Sequence, residues 1–289
     1  MSKDSLALLQ SARSFLFVPG DRPERFSKAQ TSGADVVILD LEDAVSARNK
    51  DSALLAVTSW LSGTGQAVVR IERDQEVASL RGIPGLIGVM VPKSEDPVHV
   101  SRVHQTLGCP VIALIESASG VVAAHSLASV PGVARLAFGE LDFAADIAAQ
   151  PNQRAMLLAR SSLVLASRAH GLPGPLDGVT PKFDDDSALT QDLHAALELG
   201  MSGKLLIHPR QVAVTHHVFR PSDDEVAWAG RIVKSISDGG AVVKVDSAMV
   251  DAPVLRRAQA ILARLASDAR TLVNHREAHA GGSLAEEDK

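Results

Sequence analysis

The sequence, 289 residues long, predicts an α/β protein: a closed (β/α)8 TIM barrel with a C-terminal helical extension. Three observations carry that reading. Short β-branched apolar runs recur at intervals of roughly 20 to 40 residues, the length a strand and a returning helix need. Each run is apolar at consecutive rather than alternate positions, the mark of strands buried on both faces of a parallel sheet. Alanine-rich segments of helical character fill the intervals, for example Ser119–Ser129 and Ala155–His170.

In chain order the runs are Phe15–Val18, Asp35–Leu39, Ala67–Ile71, Leu86–Val91, Val111–Ile115, Arg135–Phe138, Leu176–Val179 and Lys204–Ile207. Eight β/α units favour a closed barrel over an open doubly wound sheet. The seventh run is the weakest, being short and interrupted by Asp177. After Arg220 the rhythm changes, so the barrel is assigned to residues 1–220 and the extension to 221–289. Ser222 with Glu225 forms a capping box that opens a helix through about Ser235. Asp238-Gly-Gly predicts a turn, Ala241–Val245 a short strand, and Asp251-Ala-Pro253 the start of a long helix to about Arg276. The tail, 281–289, lacks apolar anchors and is expected to be mobile.

Composition removes several function classes. One cysteine, Cys109, excludes an intrachain disulfide framework and a thiolate-only zinc cluster, and points to the cytoplasm. Lying ahead of an apolar strand, it reads as a small buried hydrophobe. A formal charge of −5 without a basic run argues against a nucleic-acid partner, and no stretch approaches a membrane span. Tyrosine is absent and aromatics make up 3% of the chain, which leaves little for base or sugar stacking. No dinucleotide fingerprint, Walker loop or serine-nucleophile elbow is present. His216 and His217 are adjacent and cannot share a helix face, so a metal role for them is not expected.

The polar residues that interrupt the apolar pattern fall just after strand C-termini, where barrel side chains converge. They are Asp40, Glu42 and Asp43, then Arg70, Lys93, Glu116, Glu140 with Asp142, and His208. Carboxylates without cysteine suit a hard, oxygen-seeking cation such as Mg²⁺, and Glu116 with Asp142 is the best ligand pair. Asp40, Glu42 and Asp43 are placed behind those ligands. Arg70 and Lys93 supply the positive charge an anionic substrate needs. Each acid also has a bland alternative as a helix cap, and Arg70 as the structural partner of Glu72 or of an acid from the second strand.

The stretches RSFLFVPGDRPERFSKA, ADVVILDLEDAV, VVRI, IES, FGELDFAADI, LDGVTPKFDD, GKLLIHPRQV and VDAPVLRRAQ run in order over nearly the whole chain. Together they resemble the citrate lyase beta subunit family of the HpcH/HpaI aldolase and acyl-CoA ester lyase superfamily, which includes malyl-CoA and citramalyl-CoA lyases. The resemblance implies a Mg²⁺-dependent barrel enzyme acting on the carbon–carbon bond of a 3-hydroxyacyl thioester. By motif position Glu116 and Asp142 resemble the metal ligands, and Arg70 resembles the substrate-binding and catalytic arginine. Lys28 and Arg25 fall where coenzyme A is met. Asp251 resembles an acid inserted into a neighbouring subunit's site, with the N-cap of the last helix as its other role. A trimer or hexamer is implied, with the extension packing on a neighbouring subunit. Thioester hydrolysis, and a citrate lyase subunit working on an acyl carrier protein thioester, stay open as alternatives.

The chain departs from the family pattern at four places. Glu72 follows the VRI motif where asparagine is common, and Leu141-Asp142 stands where Glu-Asp is common, with Glu140 one residue earlier. Phe17 replaces a tyrosine of some relatives and Ser119 a frequent arginine. These departures bear on the substrate rather than on the metal.

Overall fold

The computed structural model describes residues 3–237, 243–245 and 248–265. The chain divides into two compact units, Met1–Phe219 and Arg220–Lys289.

The first unit opens with helix α1 (Lys3–Ser11). It continues as β1 (Ser14–Pro19), α2 (Phe26–Gln30), β2 (Val36–Asp40), α3 (Lys50–Ser62), β3 (Ala67–Arg70), α4 (Asp74–Leu80) and β4 (Leu86–Val91). Next come α5 (Pro97–Leu107), β5 (Val111–Ile115), α6 (Ala118–Ala128), β6 (Val133–Phe138), α7 (Glu140–Asp146) and α8 (Gln153–Ala169). It ends with β7 (Leu176–Asp177), α9 (Asp186–Leu199), β8 (Gly203–Leu206) and α10 (Arg210–Phe219). The eight strands are all parallel and close in sequence order, β8 pairing back onto β1 through Ser14 opposite Lys204. Every strand expected from the sequence is present. The seventh is reduced to two residues, with Leu176 opposite Ala137 and Asp177 opposite Lys204.

Strand alternation sorts the core into two layers. Val36 and Ile38 point into the barrel with Phe15, Val68 and Ile112, whereas Val37 and Leu39 pack outward against the helices. Helix α1 plugs the N-terminal end, its Leu9 fully buried in the interior cluster. Gly88 makes room for this plug: a Cβ there would lie 2.7 Å from Leu9 Cδ1. Residue chemistry also fixes where helices begin and end. The Asp96 side chain accepts from Val98 N at 2.8 Å ahead of Pro97, and α5 stops at Gly108 with φ 66°.

The second unit begins with α11 (Asp223–Ser237), and its capping box is formed: Glu225 N donates to Ser222 Oγ and Ser222 N to Glu225 Oε2. The extension differs from expectation in one element. The short strand β9 (Val243–Val245) is followed by a second, β10 (Ala248–Val250), pairing antiparallel with it as a hairpin. A three-residue strand with no flanking pattern leaves no periodic signal to read. Helix α12 occupies 252–265. The expected turn at Asp238, the end of the long helix near Arg276 and the tail 281–289 lie outside the described residues.

Candidate active site

The C-terminal mouth of the barrel holds two cavities that share Phe17 and Ile207. One, of about 350 Å³, is lined by Asp40, Asp43, Arg70, Glu116, Glu140, Leu141 and Asp142. The other, of about 540 Å³, is lined by Arg25, Lys28, Ala29, His208 and Pro209. The sequence candidates thus fall into two groups, and His208 sits with Arg25 and Lys28 rather than with the carboxylates. Its ring stacks on Phe183, centroids 4.8 Å apart.

Capping does not occupy the two proposed ligands. Ser117, directly after Glu116, caps α6 by accepting from Gly120 N at 3.1 Å, and α7 starts at Gly139 with no side-chain cap. Glu116 is buried, its Oε1 accepting from Lys93 N at 2.7 Å. That hydrogen bond is delivered by strained backbone, since Lys93 has φ 45°. Gly139 permits the close approach of β5 and β6 here, because a Cβ on it would stand 2.5 Å from Glu116 Oε2. Burial pushes the Glu116 carboxyl up to about 7, with Glu42 and Asp142 adding like-charge repulsion. Asp142 is exposed to the cavity, and among the described residues no hydrogen bond or ion pair engages its carboxylate.

Asp40, Glu42 and Asp43 surround Arg70. Arg70 Nε donates to Asp40 Oδ1 at 2.7 Å and Nη2 to Oδ2 at 2.6 Å, a bidentate pair buried at the ends of β2 and β3. Its Nη1 lies 2.9 Å from Glu42 Oε2 and 3.7 Å from Asp43 Oδ2. The Phe17 ring packs 4.9 Å below the guanidinium. The bland alternative for Arg70 therefore holds in part: an acid from the second strand is its partner, and Glu72 is not. Glu72 instead pairs with Lys50 at 2.6 Å, and Lys50 Nζ also donates to the Leu41 and Glu42 carbonyls. Asp40 works as a turn as well, accepting from Glu42 N and Ala44 N. Burial raises the Glu42 carboxyl above its ordinary range, against the pull of Arg70 and of Lys93, whose Nζ is 3.0 Å away.

A second charge network escaped the sequence reading. Arg160 Nε donates to Asp177 Oδ1 at 2.8 Å, its Nη2 to Glu140 Oε2 at 2.7 Å and its Nη1 to Gln153 Oε1 at 2.6 Å. Lys204 Nζ donates to Asp177 Oδ2 at 2.6 Å. A signal existed: Arg160 lies on the apolar stripe of α8 with Met156, Leu163 and Ser167, and a charge on such a stripe needs a buried partner.

Three further readings can be placed. Cys109 is buried, and burial pushes its thiol up to about 11, which makes it inert. His216 sits 2.8 Å from Ser14 Oγ at the start of β1, away from both cavities. In the second unit Asp251 is an N-cap, Oδ1 accepting from Val254 N at 3.2 Å.

The donor set fits a hard divalent cation. Glu116 Oε2 and the Asp142 carboxylate line one cavity and, among the described residues, accept from no protein donor, and carboxylates outnumber cationic side chains around it. Among the described residues no group of three or more histidine, cysteine or acidic side chains is gathered to hold a metal. Mg²⁺ needs only one or two carboxylates, taking water and substrate oxygens for the rest.

Comparison with known proteins agrees with this architecture. Residues 13–209 match the family described as HpcH/HpaI aldolase/citrate lyase. The citrate lyase subunit beta-like protein of Mycobacterium tuberculosis is 33% identical over 86% of this chain and 94% of its own. A (3S)-malyl-CoA thioesterase of Cereibacter sphaeroides is 31% identical over 83% of this chain and 89% of its own. Among solved structures, CitE from Mycobacterium tuberculosis in complex with magnesium, acetoacetate and coenzyme A superposes with a TM-score of 0.77 at 32% identity, covering 89% of this chain and 99% of that one. The barrel, its mouth and these similarities lead to one conclusion: the chain belongs to the HpcH/HpaI aldolase/citrate lyase family.

Proposed function

We propose that the protein is a Mg²⁺-dependent carbon–carbon lyase that cleaves a citramalyl-, malyl- or citryl-type 3-hydroxyacyl-CoA thioester to acetyl-CoA and a keto-acid. The observation that carries this reading is the pair of adjoining cavities. One presents Glu116 and Asp142 with unclaimed oxygens; the other presents Arg25 and Lys28 beside it.

Glu116 and Asp142 would hold the ion. The chemistry it supplies when bound is Lewis acidity toward the hydroxyl and carboxylate oxygens of the acyl group. Lys28 and Arg25 meet the phosphates of coenzyme A, so the thioester reaches toward Phe17 and Ile207, where the cavities join. As the hydroxyl gives its proton to water and becomes the keto carbonyl, the bond between its carbon and the neighbouring one breaks and leaves the electron pair on the thioester fragment as an enolate. Arg70, fixed by Asp40, supplies positive potential beside that charge, an effect of about 3 kcal/mol when such a group is well oriented. Its terminal nitrogens are already shared with carboxylates, so Arg70 acts as a fixed charged wall rather than as a free anion receptor. The enolate carbon then takes a proton, and Asp251 delivered by a neighbouring subunit of a trimer or hexamer is the donor. The extension is the arm that carries it, and the setting is the cytoplasm.

The test is incubation with the three CoA thioesters and Mg²⁺, with products identified by mass spectrometry. Acetyl-CoA plus keto-acid is expected, and no turnover of any thioester overturns the reading. The relative called (3S)-malyl-CoA thioesterase motivates the second reading, hydrolysis, whose signature is free hydroxy acid plus coenzyme A. Relatives called citrate lyase subunit beta motivate a third, in which only an acyl carrier protein thioester is turned over.

A further inference from the structure

We propose that Arg160 is a positioning residue for the metal site, acting through Glu140 to fix the direction in which Asp142 points; this rests on the assignment of Asp142 as a Mg²⁺ ligand. Helix α7 is only seven residues long and has no side-chain cap, so its own hydrogen bonds do little to set its rotation. Its first residue is nevertheless held firmly. Glu140 Oε2 accepts from Arg160 Nη2 at 2.7 Å, and Arg160 is anchored by Asp177 and Gln153. Asp177 is anchored in turn by Lys204, and Arg160, Asp177 and Lys204 are each at most 1% exposed. The network joins α7, α8, β7 and β8. Two acids and two bases balance its charge, so it can sit in a low-dielectric wall only while all four members stay in place.

The wall is shaped to receive Glu140. A Cβ at Gly178 would lie 3.0 Å from the Glu140 Cβ, so the chain after β7 approaches this side chain as closely as glycine allows. Both side chains line the cavity that holds Glu116, and pinning Glu140 at its β7–β8 side fixes the rotation of α7 and with it the direction of Asp142. Groups that orient a metal ligand from behind typically change metal affinity about 10–100-fold when removed. Glu140 on this reading acts through Oε2, which Arg160 holds, rather than as a ligand.

Glu140→Gln keeps the shape and removes the charge that Arg160 holds. Mg²⁺ affinity, measured by isothermal titration calorimetry, is expected to weaken about tenfold. In the thioester assay the Mg²⁺ requirement should rise by the same factor while kcat at saturating Mg²⁺ changes less than threefold. Arg160→Lys, which keeps a charge but cannot reach three acceptors, should weaken Mg²⁺ binding in the same direction. Leu163→Ala, a cavity on the same stripe of α8, serves as the control for general loosening: it should lower the urea midpoint in EDTA and leave Mg²⁺ affinity at the wild-type value. Glu140→Gln binding Mg²⁺ within twofold of wild type, while Asp142→Asn does not bind, overturns the positioning role alone. A Leu163→Ala loss of affinity equal to that of Glu140→Gln overturns it too. A wild-type protein that takes up no Mg²⁺ overturns the functional reading together with this one.

Discussion

The two ends of the barrel both bury charged side chains, yet they treat them differently. At the N-terminal end Arg135 is fully buried and donates to the carbonyls of Gly174, Ala12 and Leu9 and to Ser202 Oγ. Desolvation there pushes the guanidinium downward, with Asp35 acting the other way. Helix α1 seals this end, and its acceptors are backbone groups that need a donor to be buried at all. At the C-terminal end the balance is reversed: acids are in excess, Glu116 and Asp142 keep unclaimed oxygens, and Lys93 is held in strained backbone. The comparison separates charge that holds the fold from charge left facing an open cavity.

The largest expected effect is at the mouth. Asp142→Asn should abolish Mg²⁺-dependent turnover while changing unfolding free energy by no more than about 1 kcal/mol, because the side chain is exposed and has no partner among the described residues. Wild-type-like activity in that variant would remove the metal assignment. Arg135→Met should do the opposite. Leaving several buried acceptors unpaired costs about 3 kcal/mol or more in urea unfolding, with Mg²⁺ affinity of the folded fraction unchanged. A shift in Mg²⁺ affinity would break the division between the two ends.

A smaller effect is expected from mixed assemblies. Asp251→Ala and Glu116→Ala subunits, inactive alone, should regain part of the wild-type turnover when mixed with exchange confirmed. Complete inactivity would leave Asp251 acting within its own subunit or only as a cap.

The smallest effect is a pH dependence. The Glu116 carboxyl is raised from 4.5 to about 7 by burial, so the folded protein keeps this proton after the unfolded chain has lost it. Without metal, this group therefore lowers stability as pH rises through that interval, and the loss is complete above about 7. Metal binding requires the ionised form, so the thermal shift produced by Mg²⁺ should grow between pH 6 and pH 8. A shift independent of pH in wild type, or one that grows identically in Glu116→Gln, would detach the effect from this residue.

Much of the barrel could be read from residue order because strand burial leaves a one-dimensional trace. Val36–Asp40 and Val111–Ile115 are buried at every position, and that shows as unbroken apolarity ending in acids. The candidate acids stood out for the same reason, a carboxylate being costly at the end of a buried strand unless it has work there. Pair identity left no such trace. Arg70 could as well have met Glu72, and only the register that sets Asp40 beside Arg70 gave it to Asp40 and left Glu72 to Lys50. The hairpin β9–β10 was half visible, since a three-residue strand is too short to carry a period.

Residue order alone determined the eight-unit rhythm, the layered aliphatic core, and the gathering of acids at strand ends, because periodicity and composition are local properties. Tertiary structure alone decided which charges neutralise one another. It brought Arg160, Asp177 and Lys204 from α8, β7 and β8 into one buried cluster and left Glu116 and Asp142 facing an open cavity. Coulomb energy and desolvation depend on distances through space, and closing the barrel sets those distances between residues far apart in the chain.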